Sequence, residues 1–414
     1  MSELLTVENV RLLGSGQPVD VRVADGRIQN ITPARGGAPS SRVLLPGLVD
    51  MHTHLREPGG EHAETIATGT AAAAAGGYTD VFAMANTVPV TDTVERVDAM
   101  RRLAEGAAAR VHVVAAATHG LEGRDVVDVR ALRRAGVRMF SDDGHCVDDD
   151  GVALRVLEAV AEHGGVFAQH AQSSAIVGSG VVNLPVAEAI GCDGWPAVGE
   201  EAIVARDIAI ARATGGRLHV CHVSTARTVD LIRWAKAVGA PVTAEVTPHH
   251  LTLLDTDAAA RGPALKVNPP LRSEADVRAL RAALLDGTID VVGTDHAPHP
   301  AAAKSRSWAD AAFGMTAIET ALPVVAEVLT VAGRTDWARL VDVMSARPAE
   351  LTGLVPNAVT TGAPANFTVV EETPVAPIDL DAHLSRSRNS PFGGFPASRR
   401  VVLTVLDGRV SFSR

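Results

Sequence analysis

Two histidines stand two positions apart in the stretch LVDMHTHLREPGG, residues 48–60, at the end of an apolar run. Alternate side chains of a β-strand share a face, so His52 and His54 point the same way, with Asp50 beside them. A solvated strand face could carry such a pair, but the preceding residues read as fully buried and the chain turns directly afterwards. The pattern therefore favours two imidazoles that converge on a metal at the end of a buried strand.

Other apolar runs of the chain also end in polar side chains of the kinds found at metal sites. These residues are Asn86, Asp142, Asp143, His170, His222, Asp295, His296 and His299. A single histidine such as His170 or His222 would more often be a core residue with its hydrogen bonds satisfied. Several histidines and aspartates at strand ends together predict a metal site, because β/α barrels carry their chemistry at the carboxyl ends of the strands.

The ligand types narrow the choice of metal. Imidazole and carboxylate groups without thiolate favour zinc, with manganese, cobalt and iron as alternatives. Six such groups are too many for one tetrahedral ion that must keep an open position. Two ions that share a bridging carboxylate and a hydroxide use them better, and a metal-bound water loses its proton near neutral pH to become a nucleophile.

Short apolar runs alternate with amphipathic helical patterns from residue 46 onward, which is typical of parallel β/α units. The predicted strands are GLVDMHTH, TDVFAMAN, RVHVVAAA, VRMFSDD, GVFAQHA, RLHVCHVS, PVTAEVTPHH and IDVVGTDHA. Eight strands with helices between them predict an α/β fold of the (β/α)8 TIM-type barrel class. A doubly wound open sheet would normally have a glycine-rich phosphate turn after its first strand, where this chain has metal-type residues.

The two ends of the chain have a different pattern. VDVRVADGRIQNI near the start and VVLTVLDGRVSF near the end each place alternating strands around an Asp-Gly turn, which predicts a hairpin. We expect both ends to pair as a small β-sandwich satellite. The predicted organisation is residues 1–45 as the N-terminal part of the sandwich, 46–355 as the barrel and 356–414 as the C-terminal part.

Composition limits the compartment and the partners. Among 414 residues, 46% are hydrophobic, but no apolar run approaches twenty residues, so no membrane span or signal peptide is expected. The net charge of −10 and an aromatic content of 3% argue against nucleic acid or an anionic membrane as a partner. Three widely spaced cysteines suit a reducing cytoplasm.

Eight ordered motifs carry a resemblance that spans nearly the whole chain: DMHTHLREPG, MANT, FSDDG, CHVST, EVTPHHL, KVNPPLR, GTDHAPH and NSPFGG. The chain resembles the type I dihydroorotases of the amidohydrolase superfamily. These enzymes reversibly close N-carbamoyl-L-aspartate into L-dihydroorotate in de novo pyrimidine biosynthesis. The resemblance implies a cyclic amide hydrolase with two Zn²⁺ per chain, other divalent metals being alternatives.

The resemblance also implies roles for individual residues. One metal would be held by His52, His54 and Asp295 and the other by His170 and His222, with Asp143 as the bridge where hydantoinases use a carboxylated lysine. A hydroxide between the metals would attack the ring amide, and Asp295 would shuttle the proton. The residues that the resemblance assigns to substrate binding are His54, Arg56, Asn86, Asn268, His299, Phe313 and Gly314. Asp142 points to the opposite face of its strand and is expected to be structural.

Two other functions stay open at this stage. A hydantoinase- or allantoinase-like cyclic amidohydrolase is one, although Asp143 and Arg56 weigh against it. An inactive dihydroorotase-like subunit that scaffolds aspartate carbamoyltransferase is the other, although all six ligand residues are present. A homodimer and a complex with that transferase are both compatible with the resemblance. The sequence leaves the roles of His145 and Gln172 open, and we expect residues 299–314 to form a mobile loop over the site.

Overall fold

A computed structural model of the chain describes residues 4–14, 17–35 and 40–414. Residues 1–3, 15–16 and 36–39, which belong to the predicted N-terminal segment, lie outside the described residues. The strands in chain order are β1 (Leu5–Leu12), β2 (Val19–Ala24), β3 (Arg27–Pro33), β4 (Arg42–Pro46), β5 (Leu48–Thr53), β6 (Tyr78–Ala83), β7 (Arg110–Val113), β8 (Met139–Phe140), β9 (Val166–Gln169), β10 (Val182–Asn183), β11 (Gly194–Trp195), β12 (Leu218–Val220), β13 (Val242–Val246), β14 (Val291–Val292), β15 (Thr330–Val331), β16 (Arg334–Thr335), β17 (Phe367–Pro377), β18 (Pro396–Leu406) and β19 (Arg409–Ser413).

Helices separate most of these strands. They are α1 (Ile66–Ala75), α2 (Val94–Leu103), α3 (Val129–Arg134), α4 (Asp150–His163), α5 (Ser174–Val177), α6 (Leu184–Ile190), α7 (Val198–Thr214), α8 (Ala226–Ala237), α9 (Asp255–Arg261), α10 (Glu274–Asp286), α11 (Ala301–Lys304), α12 (Ala321–Val328), α13 (Trp337–Val341) and α14 (Arg347–Thr352). The longer ones begin at capping side chains. Thr65 accepts a hydrogen bond from the N–H of Thr68 before α1, and Asp149 accepts one from Val152 before α4.

Two parallel sheets carry the predicted site. β5, β6 and β7 form the first, and β8, β9, β12, β13 and β14 are neighbours in that order in the second. Parallel bridges join the two sheets at both ends, one between Ala115 and Phe140 and the other between Thr53 and His296. Each of the eight strands predicted for this region is confirmed. Their carboxyl ends all lie on one side, so the polar residues that follow them are brought together.

The buried state of these strands explains their apolar sequences. β5 and β6 are buried at every residue, because helices and the opposite strands cover both faces of a parallel sheet. A charged side chain in such a strand must therefore have partners within the protein. This requirement applies to Asp50 in β5 and Glu245 in β13, which both belong to the surroundings of the site.

The two ends of the chain form one seven-stranded sheet in the order β19-β18-β17-β4-β1-β2-β3. Both predicted hairpins are confirmed, since Ala24 pairs with Arg27 and Leu406 pairs with Arg409. Asp25 and Gly26 have φ values of 52° and 73°, the left-handed conformations that a two-residue hairpin turn of this type requires. The predicted pairing between the two chain ends is confirmed by the antiparallel contact of β17 with β4.

None of the helices in the described ranges combines the length and the apolar character that crossing a membrane requires. Cys146, Cys192 and Cys221 are free thiols.

Candidate metal centre

One carboxylate lies at the centre of the predicted site. Asp143 Oδ1 is 3.3 Å from His52 Nε2, 3.3 Å from His170 Nδ1 and 3.4 Å from His222 Nε2. Its second oxygen, Oδ2, is 3.2 Å from His54 Nε2. Four imidazoles from the ends of three strands, β5, β9 and β12, thus converge on the two oxygens of Asp143, which is the arrangement expected of a bridging ligand.

Asp295 lies on the His54 side of this cluster. Its Oδ1 is 3.1 Å from His54 Nε2 and 3.6 Å from His52 Nε2. On the other side, His170 Nδ1 and His222 Nε2 are only 2.8 Å apart. The six predicted metal-type residues therefore form one continuous cluster with two ends.

Backbone conformation aims three of the site residues. Arg56, His222 and Asp295 have φ values of 61°, 32° and 45°, and each stands two or three residues beyond the end of its strand. Non-glycine residues adopt the left-handed region at a cost of about 1–3 kcal/mol, and functional sites are where such strain is commonly found. Asp50 holds the first and last strand ends together, because it accepts hydrogen bonds from His52 N at 3.1 Å and Thr294 N at 3.1 Å.

Two side chains fix which ring nitrogen the histidines of β5 present to the cluster. His54 Nδ1 lies 2.9 Å from Asn86 Oδ1, which can only accept, so Nδ1 carries the proton and Nε2 faces the carboxylates. His52 Nδ1 lies 2.5 Å from Glu245 Oε1 in the same manner. Glu245 is a functional residue that the sequence analysis missed. The only signal was a charged residue within the buried strand that contains AEV, and its partner stands 193 positions away.

Electrostatics in the cluster favour a cationic occupant. Burial raises the pKa of the Asp143 carboxyl, but the positive charge of His52 and the surrounding hydrogen bonds outweigh burial and hold that pKa well below its usual value. Burial also opposes ionisation of Asp295, yet His54 and His52 lower its pKa. Burial lowers the pKa of His52, but Asp143 and Glu245 outweigh it and raise that pKa well above its usual value. The negative charge of these buried carboxylates keeps protons on the neighbouring imidazoles. The same charge would attract metal ions.

The donor set fits a metal. His52 is fully buried, and its Nε2 has no hydrogen-bond partner among the described residues, although two carboxylates lie within 3.6 Å. The ligand atoms of His52, His54 and Asp295 all lie within 4.8 Å of one another, and so do those of His52, Asp143 and His222. His52 also forms such a group with Cys221 and Glu245, on its Nδ1 side. A buried nitrogen without a partner between anionic groups is what a histidine ligand presents before metal binding.

A cavity of about 180 Å³ opens beside the cluster. Every predicted site residue except His52 lines it, namely His54, Arg56, Asn86, Asp143, His170, His222, Asn268, Asp295, His299, Phe313 and Gly314. A larger cavity of about 460 Å³ lies beside β17 and β18, with Pro377 and Arg399 in its wall. We place the site at the smaller cavity because the interacting titratable groups converge there.

The cationic side of the cavity is formed by Arg56. Its Nε donates to the Pro298 carbonyl at 3.2 Å, and its Nη2 lies 3.3 Å from His299 Nε2. His299 Nε2 must carry a proton, because it also lies 2.7 Å from the Phe313 carbonyl, which can only accept. Burial and the charge of Arg56 lower the pKa of His299 to about 3. The neutral imidazole thus leaves Arg56 as the positive charge at this wall.

Comparison with known proteins identifies the family. Residues 41–228 match the family model described as dihydro-orotase-like. A dihydroorotase of Streptomyces coelicolor is 47% identical over 424 residues, covering 99% of this chain and 98% of the relative. A dihydroorotase of Mycobacterium tuberculosis is 44% identical, covering 98% of this chain and 97% of the relative. The chain belongs to the dihydroorotase family. It is accordingly a cyclic amide hydrolase.

Solved structures extend the likeness of this dihydroorotase family member to other amidohydrolases. An L-hydantoinase (dihydropyrimidinase) from Arthrobacter aurescens matches with a TM-score of 0.83 at 26% identity, covering 98% of this chain and 95% of that one. A D-hydantoinase matches with a TM-score of 0.84 at 21% identity, covering 100% of this chain and 96% of that one. At the latter level of identity the likeness concerns the fold alone.

Other residues of the dihydroorotase motifs lie outside the cluster. Asp142 accepts a hydrogen bond from Thr118 N at 2.9 Å, which confirms the structural role predicted for it. His145 is exposed. His249 is buried with its ring centroid 4.6 Å from that of His250, and burial lowers the pKa of His249 to about 4.

The two ends of the segment 299–314 reach the cavity, and His299, Phe313 and Gly314 are part of its wall. Lys304 within it is buried, and its Nζ donates to the carbonyls of Lys266 at 2.7 Å, Ala312 at 2.8 Å and Gly314 at 2.9 Å. The bond to Lys266 joins the segment to the stretch between β13 and β14, and the other two bonds connect Lys304 to the end of its own segment. Its mobility stays a prediction.

Proposed function

We propose that this protein catalyses the reversible cyclisation of N-carbamoyl-L-aspartate to L-dihydroorotate. The observation that carries the proposal is the convergence of four imidazoles on Asp143 beside a cavity with a fixed cation, Arg56. A ring amide is hydrolysed at the first feature, and a substrate carboxylate is bound at the second. Full-length similarity to proteins named dihydroorotase supports the same activity.

His52, His54 and Asp295 would hold one metal ion, and His170 and His222 a second, with Asp143 shared between them. The donor set of imidazole and carboxylate favours zinc. Metal ions there would supply Lewis acidity and acidify a bound water towards neutral pH. The His52 Nε2 atom, which has no hydrogen-bond partner among the residues that the structure describes, supports a ligand at this position.

Asp295 would move the proton. His54 and His52 hold its pKa below the usual value against burial, so the side chain is ionised at neutral pH, the form that a proton acceptor requires. It lines the cavity, where it can deliver that proton to the ring nitrogen that leaves as the amide opens. In the cyclisation direction the same carboxylate would remove a proton from the attacking ureido nitrogen.

Arg56, with Asn86 and His299, would bind the carboxylate on the ring carbon of the substrate. A guanidinium keeps its charge at any relevant pH and can bind a carboxylate through two parallel hydrogen bonds. Burial lowers the pKa of Arg56 without removing that charge, since an arginine is effectively always protonated. Asn268, Phe313 and Gly314 also line the cavity, where Asn268 and the backbone of the other two would contact the ring edge.

The surrounding architecture enters the proposal as well. We infer that the eight parallel strands close as a (β/α)8 barrel over residues 46–355, with residues 1–45 and 356–414 forming a β-sandwich satellite. The bridge between Thr53 and His296 supports closure, and the seven-stranded sheet supports the satellite. A cytoplasmic location, a homodimer and a complex with aspartate carbamoyltransferase stay predictions.

A substrate panel tests the activity against its main alternative. Purified protein supplied with zinc should hydrolyse L-dihydroorotate in preference to hydantoin, dihydrouracil or allantoin, because only dihydroorotate carries a carboxylate for Arg56. Preference for an uncharged ring would instead assign the chain to hydantoinase-like chemistry. Absence of hydrolysis with any of these substrates, despite bound metal, would support an inactive scaffold.

A further inference from the structure

Gln172 contacts both the metal-type cluster and the substrate cavity through one atom. Its Oε1 lies 3.0 Å from His170 Nε2 and 2.9 Å from Asn268 Nδ2. His170 uses its other ring nitrogen, Nδ1, to reach Asp143 at 3.3 Å and His222 at 2.8 Å. A single amide oxygen therefore stands between a candidate metal ligand and a candidate substrate contact.

The direction of these hydrogen bonds follows from the metal-facing nitrogen. A histidine that binds a cation through Nδ1 must carry its proton on Nε2, so His170 Nε2 is a donor. Its partner on Gln172 must then be the oxygen and not the amide nitrogen. Because that oxygen also faces Asn268, the Asn268 side chain must present its NH2 group to it.

The consequence appears at the other end of Asn268. With Nδ2 donated to Gln172, its Oδ1 is buried and has no hydrogen-bond partner in the part of the chain that the structure describes. Asn268 lines the cavity, so this oxygen is the group that it offers to a bound molecule. A buried acceptor without a partner is costly, and the cost is removed when a ligand supplies a donor.

We propose that Gln172 is a positioning residue that sets the proton position on His170 and the amide orientation of Asn268 together. The proposal deepens the proposed function and rests on it, because it adds the rule by which the site recognises its substrate. The cavity selects molecules that present an N–H to Asn268, as the ring of a dihydropyrimidine and the ureido group of its open form both do. Metal binding at His170 and substrate binding at Asn268 are coupled through one oxygen.

Three variants separate this role from simple packing. Gln172→Glu keeps an acceptor for both partners, whereas Gln172→Met has a similar length and cannot accept. Asn268→Ala removes the substrate contact but leaves the acceptor for His170. Gln29→Met, on the exposed strand β3, is the matched control for a glutamine-to-methionine change far from the site.

Two measurements are made on each protein. The first is the zinc dissociation constant of the metal-free chain, by competition with a chromophoric chelator, which needs no activity. The second is KM and kcat for dihydroorotate at saturating zinc. Gln172→Met should weaken zinc binding about 10–100-fold, the usual effect of removing the partner of a histidine ligand, and should raise KM about 10-fold for a lost hydrogen bond.

The other two variants, Gln172→Glu and Asn268→Ala, distinguish the effect on His170 from the effect on the substrate contact. Gln172→Glu keeps the acceptor for both partners and adds a charge beside His170, so zinc binding should be unchanged or tighter by up to about 10-fold, and KM should stay close to that of the parent. Asn268→Ala should raise KM while leaving zinc binding unchanged. Unchanged constants in Gln172→Met, losses in Gln172→Glu equal to those in Gln172→Met, or weakened zinc binding in Asn268→Ala would each overturn the proposal. If the parent chain binds zinc but does not act on dihydroorotate, the proposed function fails, while the zinc measurements still decide the role of Gln172 towards His170.

Discussion

The interaction of Glu245 with His52 allows a quantitative prediction. Glu245 Oε1 is 2.5 Å from His52 Nδ1 and accepts from His222 N at 3.2 Å, while Oε2 is 3.3 Å from His219 Nε2. Replacing Glu245 with Leu would leave three buried donors without partners. At about 1–3 kcal/mol for each group, partly relieved by relaxation, we expect a loss of about 3–5 kcal/mol in the free energy of unfolding.

Glu245→Gln separates charge from geometry. The amide oxygen of the glutamine can still accept from His52 and His222. The amide NH2 group can donate to His219 Nε2 if the proton of that ring moves to Nδ1. His219 Nδ1 would then donate to Thr243 Oγ1, which lies 2.9 Å away. The fold should therefore remain stable, while zinc affinity falls about 10-fold because His52 becomes a less basic ligand. Glu245→Leu should fall towards the 100-fold end of that effect.

The assay combines urea unfolding of the metal-free proteins with zinc titration by chelator competition. Unfolding midpoints report the buried hydrogen bonds, and zinc dissociation constants report the orientation and basicity of His52. A Glu245→Leu protein with unchanged zinc affinity and an unchanged unfolding midpoint would show that Glu245 neither orients His52 nor stabilises the buried donors around it. Equal zinc affinity in Glu245→Gln and the parent would remove only the contribution assigned to charge.

Three further predictions concern the other parts of the site. Arg56→Lys should raise KM for dihydroorotate about 10-fold with little change in metal content, because the bidentate contact is lost. Arg56→Met should raise KM further, because the charge is lost as well. Unchanged steady-state constants in Arg56→Met would show that the carboxylate binds elsewhere. Asp295→Asn should retain much of its metal but lose about 10²–10⁴-fold in kcat. Asp143→Asn should lose metal together with activity. Metal analysis and reaction rates in both directions distinguish the two variants. Lys304→Met should lower the free energy of unfolding by about 1–3 kcal/mol and raise KM, because the carbonyls of Lys266, Ala312 and Gly314 lose their donor. An unchanged KM would mean that the segment 299–314 keeps its position without Lys304.

The strands and the histidine cluster could be predicted because their signals are local. The apolar runs before His52, His170 and His222 mark buried strands, and parallel strands bring their carboxyl ends together whatever the details of packing. The resemblance to the family assigns the bridge to Asp143, and strand alternation then places Asp142 on the opposite face, since neighbouring residues point to opposite faces. The structure shows Asp143 in the cluster and Asp142 bonded to Thr118.

The partners that orient the ligands could not be predicted because they depend on contacts between distant strands. Glu245 lies within a strand that reads as buried and apolar, and nothing local indicates that its carboxylate reaches His52. Gln172 stands two residues after His170, but its second contact, with Asn268, is 96 positions away. The anchoring of the segment 299–314 depends on Lys304, whose carbonyl acceptor at Lys266 is 38 positions away.

The central claim is that a metal centre built on Asp143 makes this chain a dihydroorotase. Its most direct test is hydrolysis of L-dihydroorotate by the purified chain, stripped of metal and then titrated with zinc, with bound metal measured at each point. We expect no turnover without metal and activity that rises to a plateau near two ions per chain, the number that a shared bridging carboxylate allows. Full activity in the metal-free protein, or no turnover of dihydroorotate at any zinc content, would contradict it.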